Sequence, residues 1–171
     1  MKPPVLESHP KHPVRFRQLM ALGREISSLC KKANVTPIVY GSLAYFVHTQ
    51  DPEVEVRDLD FLVSEMSFPN IRELLTQKKD LRFKEQPYHS IEVYKGGLEI
   101  DLDAKERFLF PKPDDATTVE IEGLTLRILN RQTLIDIYRE AIDQMPQIEK
   151  LNEKRQRYLH KLANLEKKKT S

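Results

Sequence analysis

The sequence predicts a mixed α+β domain: a small mixed β-sheet flanked by helices, with further helices at the C-terminus. Three observations predict it. Helical and strand-like hydrophobic periods alternate through the first part of the chain, two glycine-centred hairpins follow, and the final stretch returns to the helical period. The order lacks the regular βαβ rhythm of a doubly wound sheet.

Residues 1–13 carry Pro3, Pro4, Pro10 and Pro13 and read as a flexible arm. Across 14–32, Phe16, Leu19, Leu22, Ile26 and Leu29 recur at helical spacing. Residues 37–40 read as a short buried strand ending at Gly41, and 42–49 as a helix with Ser42 as its N-cap. Residues 50–56 are polar, contain Pro52 and form a loop. Residues 57–64 form a strand with Leu59, Phe61 and Val63 toward the core. Ser67 and Pro69 start a helix whose apolar face is Ile71, Leu74 and Leu75. A strand is expected at 81–84. Residues 91–94 and 98–103 alternate about Lys95-Gly96-Gly97, and 119–121 and 124–128 flank Glu122-Gly123, giving two hairpins. Asn130 caps a helix over 131–145, with Leu134, Ile137, Tyr138 and Ala141 on one face, and Pro146 ends it. A last helix carries Ile148, Leu151, Tyr158, Leu159, Leu162 and Leu165 in register. The expected organisation is therefore an arm (1–13), a domain (14–145) and a basic amphipathic helix packed on or extending it (146–171).

A chain of 171 residues fits one domain, and a hydrophobic fraction of 39% supports a real core. The net charge of +2 gives no global basic field of the kind that draws nucleic acid. Charge is nonetheless uneven: 51–60 is acidic and 150–169 is basic. Lys154-Arg155-Gln156-Arg157 and Lys167-Lys168-Lys169 read first as a solvated helix face, with a nucleic-acid contact as the lesser reading. Cys30 is the only cysteine, which rules out an internal disulfide and a multi-cysteine zinc site. The N-terminus has no apolar signal-peptide core, and no run approaches the ~18 apolar residues of a membrane helix. A cytoplasmic protein without a membrane partner is expected. The five histidines show no ligand spacing.

The chemistry concentrates between Tyr40 and Val63. Gly41-Ser42 closes one apolar run, and a second run carries Asp58 and Asp60. Strand side chains alternate, so the two carboxylates share a face and repel unless a cation joins them. Mg²⁺ takes one or two carboxylates together with substrate phosphates. The Gly-Ser turn offers backbone amides and a hydroxyl to a phosphate. Together these features suggest a site for a metal-bound nucleoside triphosphate. A third carboxylate is expected from the later hairpin, where Glu99, Asp101 and Asp103 share one face. Asp101, mid-strand between apolar neighbours, is preferred over Asp103. Glu99 and Asp103 read as the wet face of an antiparallel strand. Arg57 reads as a surface ion pair in preference to a phosphate ligand.

Gly41-Ser42, then Asp58-Leu59-Asp60 on a strand, then Asp101 on a later strand resembles the polymerase-beta-like nucleotidyltransferase superfamily. The likeness is to its minimal and antibiotic-nucleotidyltransferase-like branches. It covers 35–103 and continues more weakly through 119–141. It implies that Gly41 and Ser42 hold the β- and γ-phosphates of a nucleotide such as ATP. It implies that Asp58, Asp60 and Asp101 bind Mg²⁺ or Mn²⁺, and that Asp101 helps to deprotonate a hydroxyl acceptor. The implied reaction moves a nucleoside monophosphate to that acceptor and releases pyrophosphate; the acceptor is a small molecule, a tRNA end or a protein side chain. A homodimer, a helical partner protein or a macromolecular acceptor would supply the acceptor wall for which so short a chain leaves little room. Two departures from the family pattern are present. Leu43-Ala44-Tyr45-Phe46 follows the serine, with a long spacer before Asp58. The lysine often found in a later helix is missing from 134–139, where Arg139 is a candidate substitute and Tyr138 a candidate to stack on the base. These departures support an alternative: a catalytically inactive module that binds nucleotide or a partner, in an antitoxin-like role.

Overall fold

The computed structural model describes residues 2–108 and 115–167; Lys168 and Lys169 of the basic stretch lie outside them. Among the described residues eight strands form one mixed sheet, with five α-helices. The strands are β1 (Val5–Leu6), β2 (Ile38–Tyr40), β3 (Leu59–Val63), β4 (Arg82–Gln86), β5 (Ser90–Lys95), β6 (Leu98–Ala104), β7 (Ala116–Ile121) and β8 (Leu124–Leu129). The helices are α1 (Pro13–Lys32), α2 (Gly41–Thr49), α3 (Phe68–Thr76), α4 (Arg131–Gln144) and α5 (Asn152–Glu166). Across the sheet the order is β1-β7-β8-β2-β3-β6-β5-β4.

Both expected hairpins form, as β5–β6 and β7–β8. The sheet is larger than anticipated because two further connections join them. β2 runs parallel to β8, and β3 runs parallel to β6. The expected arm contributes β1, which pairs parallel with β7, and Glu120 N donates to Pro4 O at 2.9 Å. That pairing covers an edge whose amides would otherwise face solvent.

The alternation within β3 explains how the sheet sides divide. Leu59, Phe61 and Val63 are buried, and Leu59 and Phe61 reach Gly23 of α1. Gly23 permits this close approach, since a Cβ there would stand 2.7 Å from Leu59 Cδ1. The opposite side carries Asp60. The strand begins at Leu59, so Asp58 sits at its mouth and not within it.

The C-terminal helix docks on α2 and α4, yet it fully buries only Leu165. Leu159, read as part of its apolar stripe, is 38% exposed. Polar ties complete the docking. The Arg131 guanidinium donates to the carbonyls of Leu165 (2.7 Å), Lys167 (2.9 Å), Asn164 (3.5 Å) and His48 (3.3 Å). A cation thus satisfies the last carbonyls of α5 and opposes its dipole. Losing such charged hydrogen bonds costs about 2 kcal/mol. In Arg131→Ala, amide hydrogen exchange across α5 is therefore expected to quicken about thirtyfold, while β3 and β6 keep their protection. Unchanged exchange in α5 would mean that packing alone holds it.

Candidate active site

Strand register assembles the carboxylates. Asp60 stands opposite Tyr40 on β2 and opposite Asp101 on β6. Neighbouring strands lie about 4.8 Å apart, so Asp60 and Asp101 face outward side by side. One oxygen from each of Asp58, Glu99 and Asp101 lies within 4.8 Å of the others. Oxygens sharing one Mg²⁺ at about 2.1 Å stand up to about 4.2 Å apart, so a small contraction would close this trio on a cation. A second observation fits a cation here. Asp101 Oδ1 is buried with no hydrogen-bond partner. Burial first, and then the Asp60 and Glu99 carboxylates, push the Asp101 carboxyl up to about 9. Burial likewise raises Asp58, and burial with the charges of Asp58 and Asp103 holds Asp60 well above the usual carboxylate range.

The turn beside them is shaped by Asp60. Gly41 has φ of 66°, and a Cβ there would lie 2.1 Å from Asp60 Oδ2. The missing side chain is what lets the carboxylate lie over the turn. α2 begins at Gly41 with Tyr40 as N-cap, and no side chain caps its first amides. Ser42, expected to be that cap, instead accepts a hydrogen bond from Lys161 Nζ of α5 at 3.0 Å. Lys161 lies 5.6 Å from the Tyr45 ring centre and 5.9 Å from that of Tyr138. Burial lowers its pKa, while the charges of Asp60 and Asp58 oppose that shift. Asn164 of the same helix donates to Tyr45 Oη at 2.8 Å.

A cleft of about 850 Å³ opens from this point. Ser42, Asp58 and Asp60 line it along with Tyr138, Tyr158 and Lys161. The rings of Tyr138 and Tyr158 meet edge to face at 5.3 Å. No described residue of the N-terminal segment lines the cleft.

Other sequence candidates fall elsewhere. Asp103 is buried, accepts from Tyr40 Oη and pairs with Arg107 at 3.5 Å, so its charge is already answered. Arg139, the candidate substitute for the lysine, pairs with Glu166 at 2.9 Å and does not line the cleft. Arg57 pairs with Glu55 at 3.1 Å. Sequence reasoning missed two residues. Glu99 was assigned to a wet face, although its alternation with Asp101 already placed both on one side. Lys161 was passed over as part of a basic helix. Its signal was position: it sits three residues after Tyr158 and four before Leu165, inside the apolar stripe.

These raised pKa values give stability a sign. The folded protein holds a proton on Asp101 up to about pH 9, while an unfolded aspartate releases it near pH 4. Between those limits the native state binds more protons, so stability falls as pH rises. In chelator, the thermal midpoint is expected to drop across that window, and Mg²⁺ is expected to raise it most at the alkaline end. A Mg²⁺ effect independent of pH, or none, would count against a cation at these carboxylates. Gly41→Ala, which must expel Asp60 from the turn, is expected to weaken the Mg²⁺ response.

No family model matches this chain, and no curated protein matches its sequence. Solved structures do match. ANT(2'')-Ia in complex with adenylyl-2''-tobramycin aligns with a TM-score of 0.56 at 13% identity, over 86% of this chain and 94% of that one. An antigenic nucleotidyltransferase-like protein from Paracoccidioides brasiliensis aligns at 0.60 and 14%, over 86% and 74%. The lincosamide antibiotic adenylyltransferase LnuA, bound to lincomycin, aligns at 0.56 and 11%, over 88% and 96%. The chain has the fold of the polymerase-beta-like nucleotidyltransferases.

Proposed function

We propose that this protein transfers a nucleoside monophosphate from a nucleoside triphosphate to a hydroxyl acceptor. The observation that carries the reading is the meeting of Asp58, Glu99 and Asp101 within 4.8 Å beside the Gly41-Ser42 turn. Asp58, Asp60 and Asp101, with Glu99 beside them, are the residues to hold Mg²⁺ or Mn²⁺. When bound, such ions supply positive charge that stabilises the attacking and leaving oxygens.

The chain's own groups do the rest. The uncapped amides at the start of α2 and the Ser42 hydroxyl receive the β- and γ-phosphates. Lys161 moves its hydrogen bond from Ser42 to a phosphate and balances charge there. Tyr138 and Tyr158 wall the part of the cleft where the nucleoside lies. The acceptor oxygen bonds to the α-phosphorus as the bond to pyrophosphate breaks, and the hydroxyl proton leaves toward Asp101. ATP is the first donor to try, because the matched ANT(2'')-Ia complex holds an adenylyl product and LnuA is an adenylyltransferase.

The inactive-module alternative rested on a missing lysine and an altered helix after the serine. Lys161 supplies a cation from a different helix, and the described residues of the N-terminal segment do not line the cleft. Both observations favour the enzyme.

The test is transfer of α-labelled triphosphate to pooled acceptors with Mg²⁺ or Mn²⁺. Wild type is expected to label one pool, and Asp60→Ala or Asp101→Asn to lower labelling more than about a hundredfold. Lys161→Ala is expected to raise KM for the triphosphate about tenfold to a hundredfold, from ~1.5–3 kcal/mol of lost charged hydrogen bonding. Failure of wild type to bind any triphosphate in the presence of the metal would sink the reading.

A further inference from the structure

Strand pairing places Asp60, Glu99 and Asp101, which lie within β3 and β6. Asp58 precedes β3 and belongs to no ladder. It nonetheless brings an oxygen within 4.8 Å of Glu99 and Asp101. Its place is therefore set by the segment before it, residues 50–57, which holds neither helix nor strand. Asp51, Glu53, Val54, Glu55 and Arg57 of that loop line the cleft.

The N-terminal segment touches this loop without lining the cleft. The Lys11 amide N–H donates to Val54 O at 2.8 Å, and Ser8 Oγ donates to Gln50 Oε1 at 3.3 Å. Lys11 Nζ stands 3.6 Å from Glu53, and His12 Nε2 stands 4.0 Å from Glu55. Both of these pairs are largely exposed and add little; the backbone bond carries the contact. Val54 and Val56 are buried in the core, and Pro10, beside Lys11, is buried too. The segment is tied at its other end as well. β1 pairs with β7, and His9 Nδ1 lies 2.9 Å from Glu122 Oε1. Lys11 is thus held by groups outside the loop and can impose a position on it.

Backbone geometry marks the same seam. Among the described non-glycine residues, φ is positive at His12 (58°), Gln50 (50°) and Glu122 (49°), and elsewhere only at Asn34 and His89. An L-residue keeps a left-handed conformation only where its surroundings hold it. His12 passes the segment into α1, and Gln50 passes α2 into the loop. One turn into α1, Arg15 donates to Gly97 O at 3.5 Å, in the turn just before Glu99. We propose that residues 8–12 are a strap that positions Asp58: the Lys11 amide, through Val54, sets the loop that presents the Asp58 carboxylate to a cation shared with Glu99 and Asp101. Lys11 is a positioning residue and acts only through Asp58. The inference rests on the cation site of the proposed reaction and can be tested without nucleotide transfer.

The probe is Mn²⁺, titrated into the full metal-free chain and followed by the electron paramagnetic resonance signal of the free ion. Wild type is expected to bind, and Asp58→Asn sets the scale of loss. Lys11→Pro removes the strap's donor and is expected to weaken Mn²⁺ about tenfold, the lower end of what groups supporting metal ligands contribute. Lys11→Ala restores the amide and is expected to recover the affinity to within about twofold. Added to Asp58→Asn, Lys11→Pro is expected to cost less than about twofold more, because the two changes remove one interaction. Amide hydrogen exchange in Lys11→Pro is expected to quicken at 53–57 while β3 and β6 keep their protection. Pro10→Gly, which loosens the strap and removes no donor, is the second variant, expected to weaken Mn²⁺ about threefold and only where Asp58 is present. Wild-type affinity in both Lys11→Pro and Pro10→Gly would overturn the proposal. So would a loss undiminished on the Asp58→Asn background, or a loss in Lys11→Ala equal to that in Lys11→Pro. Wild type that binds no Mn²⁺ would remove the cation site and the strap's role together. Affinity that follows the strap as expected, in a chain that transfers no nucleotide, would remove the transferase reading and keep the strap.

Discussion

Everything at the site follows from one pairing: β3 beside β6, parallel and in register, with Asp60 opposite Asp101. Asp58 and Glu99 lie next to that pair on the same side. Like charges at such spacing repel, and burial sharpens the repulsion because little water screens it. The fold resolves only part of the conflict. Asp103 receives Tyr40 and Arg107 and is thereby settled as a structural group. Asp101 receives no donor at Oδ1. The two aspartates of one strand thus differ: Asp103 has its partners, and Asp101 Oδ1 has none.

Without a cation, that conflict is relieved by a proton held on Asp101, and the rest of the molecule keeps the carboxyls in place. The other side of β3 is fully buried at Leu59, Phe61 and Val63, and Gly23 of α1 lets Leu59 and Phe61 come close. The same strand therefore anchors the core on one side and holds the repelling carboxylates on the other. A strand so well anchored cannot splay to relieve them. Such an arrangement trades stability for a preorganised site. Removing the charges would be expected to stabilise the metal-free protein, which is the reverse of what removing a salt-bridged carboxylate does.

Local pattern made much of this legible. The two hairpins, the Gly-Ser turn and the Asp-x-Asp strand each rest on periods of two and on turn residues, which a sequence displays directly. Asp101 could be preferred over Asp103 because it lies mid-strand between apolar neighbours while Asp103 sits nearer the strand end. The parallel contacts were not legible, since no turn joins β3 to β6 or β2 to β8 and their register is set by tertiary packing. Glu99's place beside Asp101 and Asp58 was hidden for that reason: alone it is an ordinary wet-face residue, and only the neighbouring strand makes it part of a cluster. Lys161 lies far from Ser42 along the chain, and nothing local marks a lysine as buried except its place within an apolar stripe. Arg139 failed as a substitute because a surface partner, Glu166, lies within its reach.

The fold therefore ties its last helix to its first turn. Lys161 and Asn164 both reach α2, and Arg131 at the start of α4 holds the carbonyls that end α5. Only Leu165 of α5 is fully buried, with Tyr158 and Leu162 packed part-buried on the core, so these polar bonds share in holding the helix. Polar bonds of this kind exchange readily with other polar partners, because net energies per bond are small. A triphosphate at Ser42 would take over the Lys161 contact without breaking the bonds made by Asn164 and Arg131. The helix would remain docked while its lysine changed partners. Under the proposed reading, α5 is the wall of the cleft on the side where the nucleotide would lie.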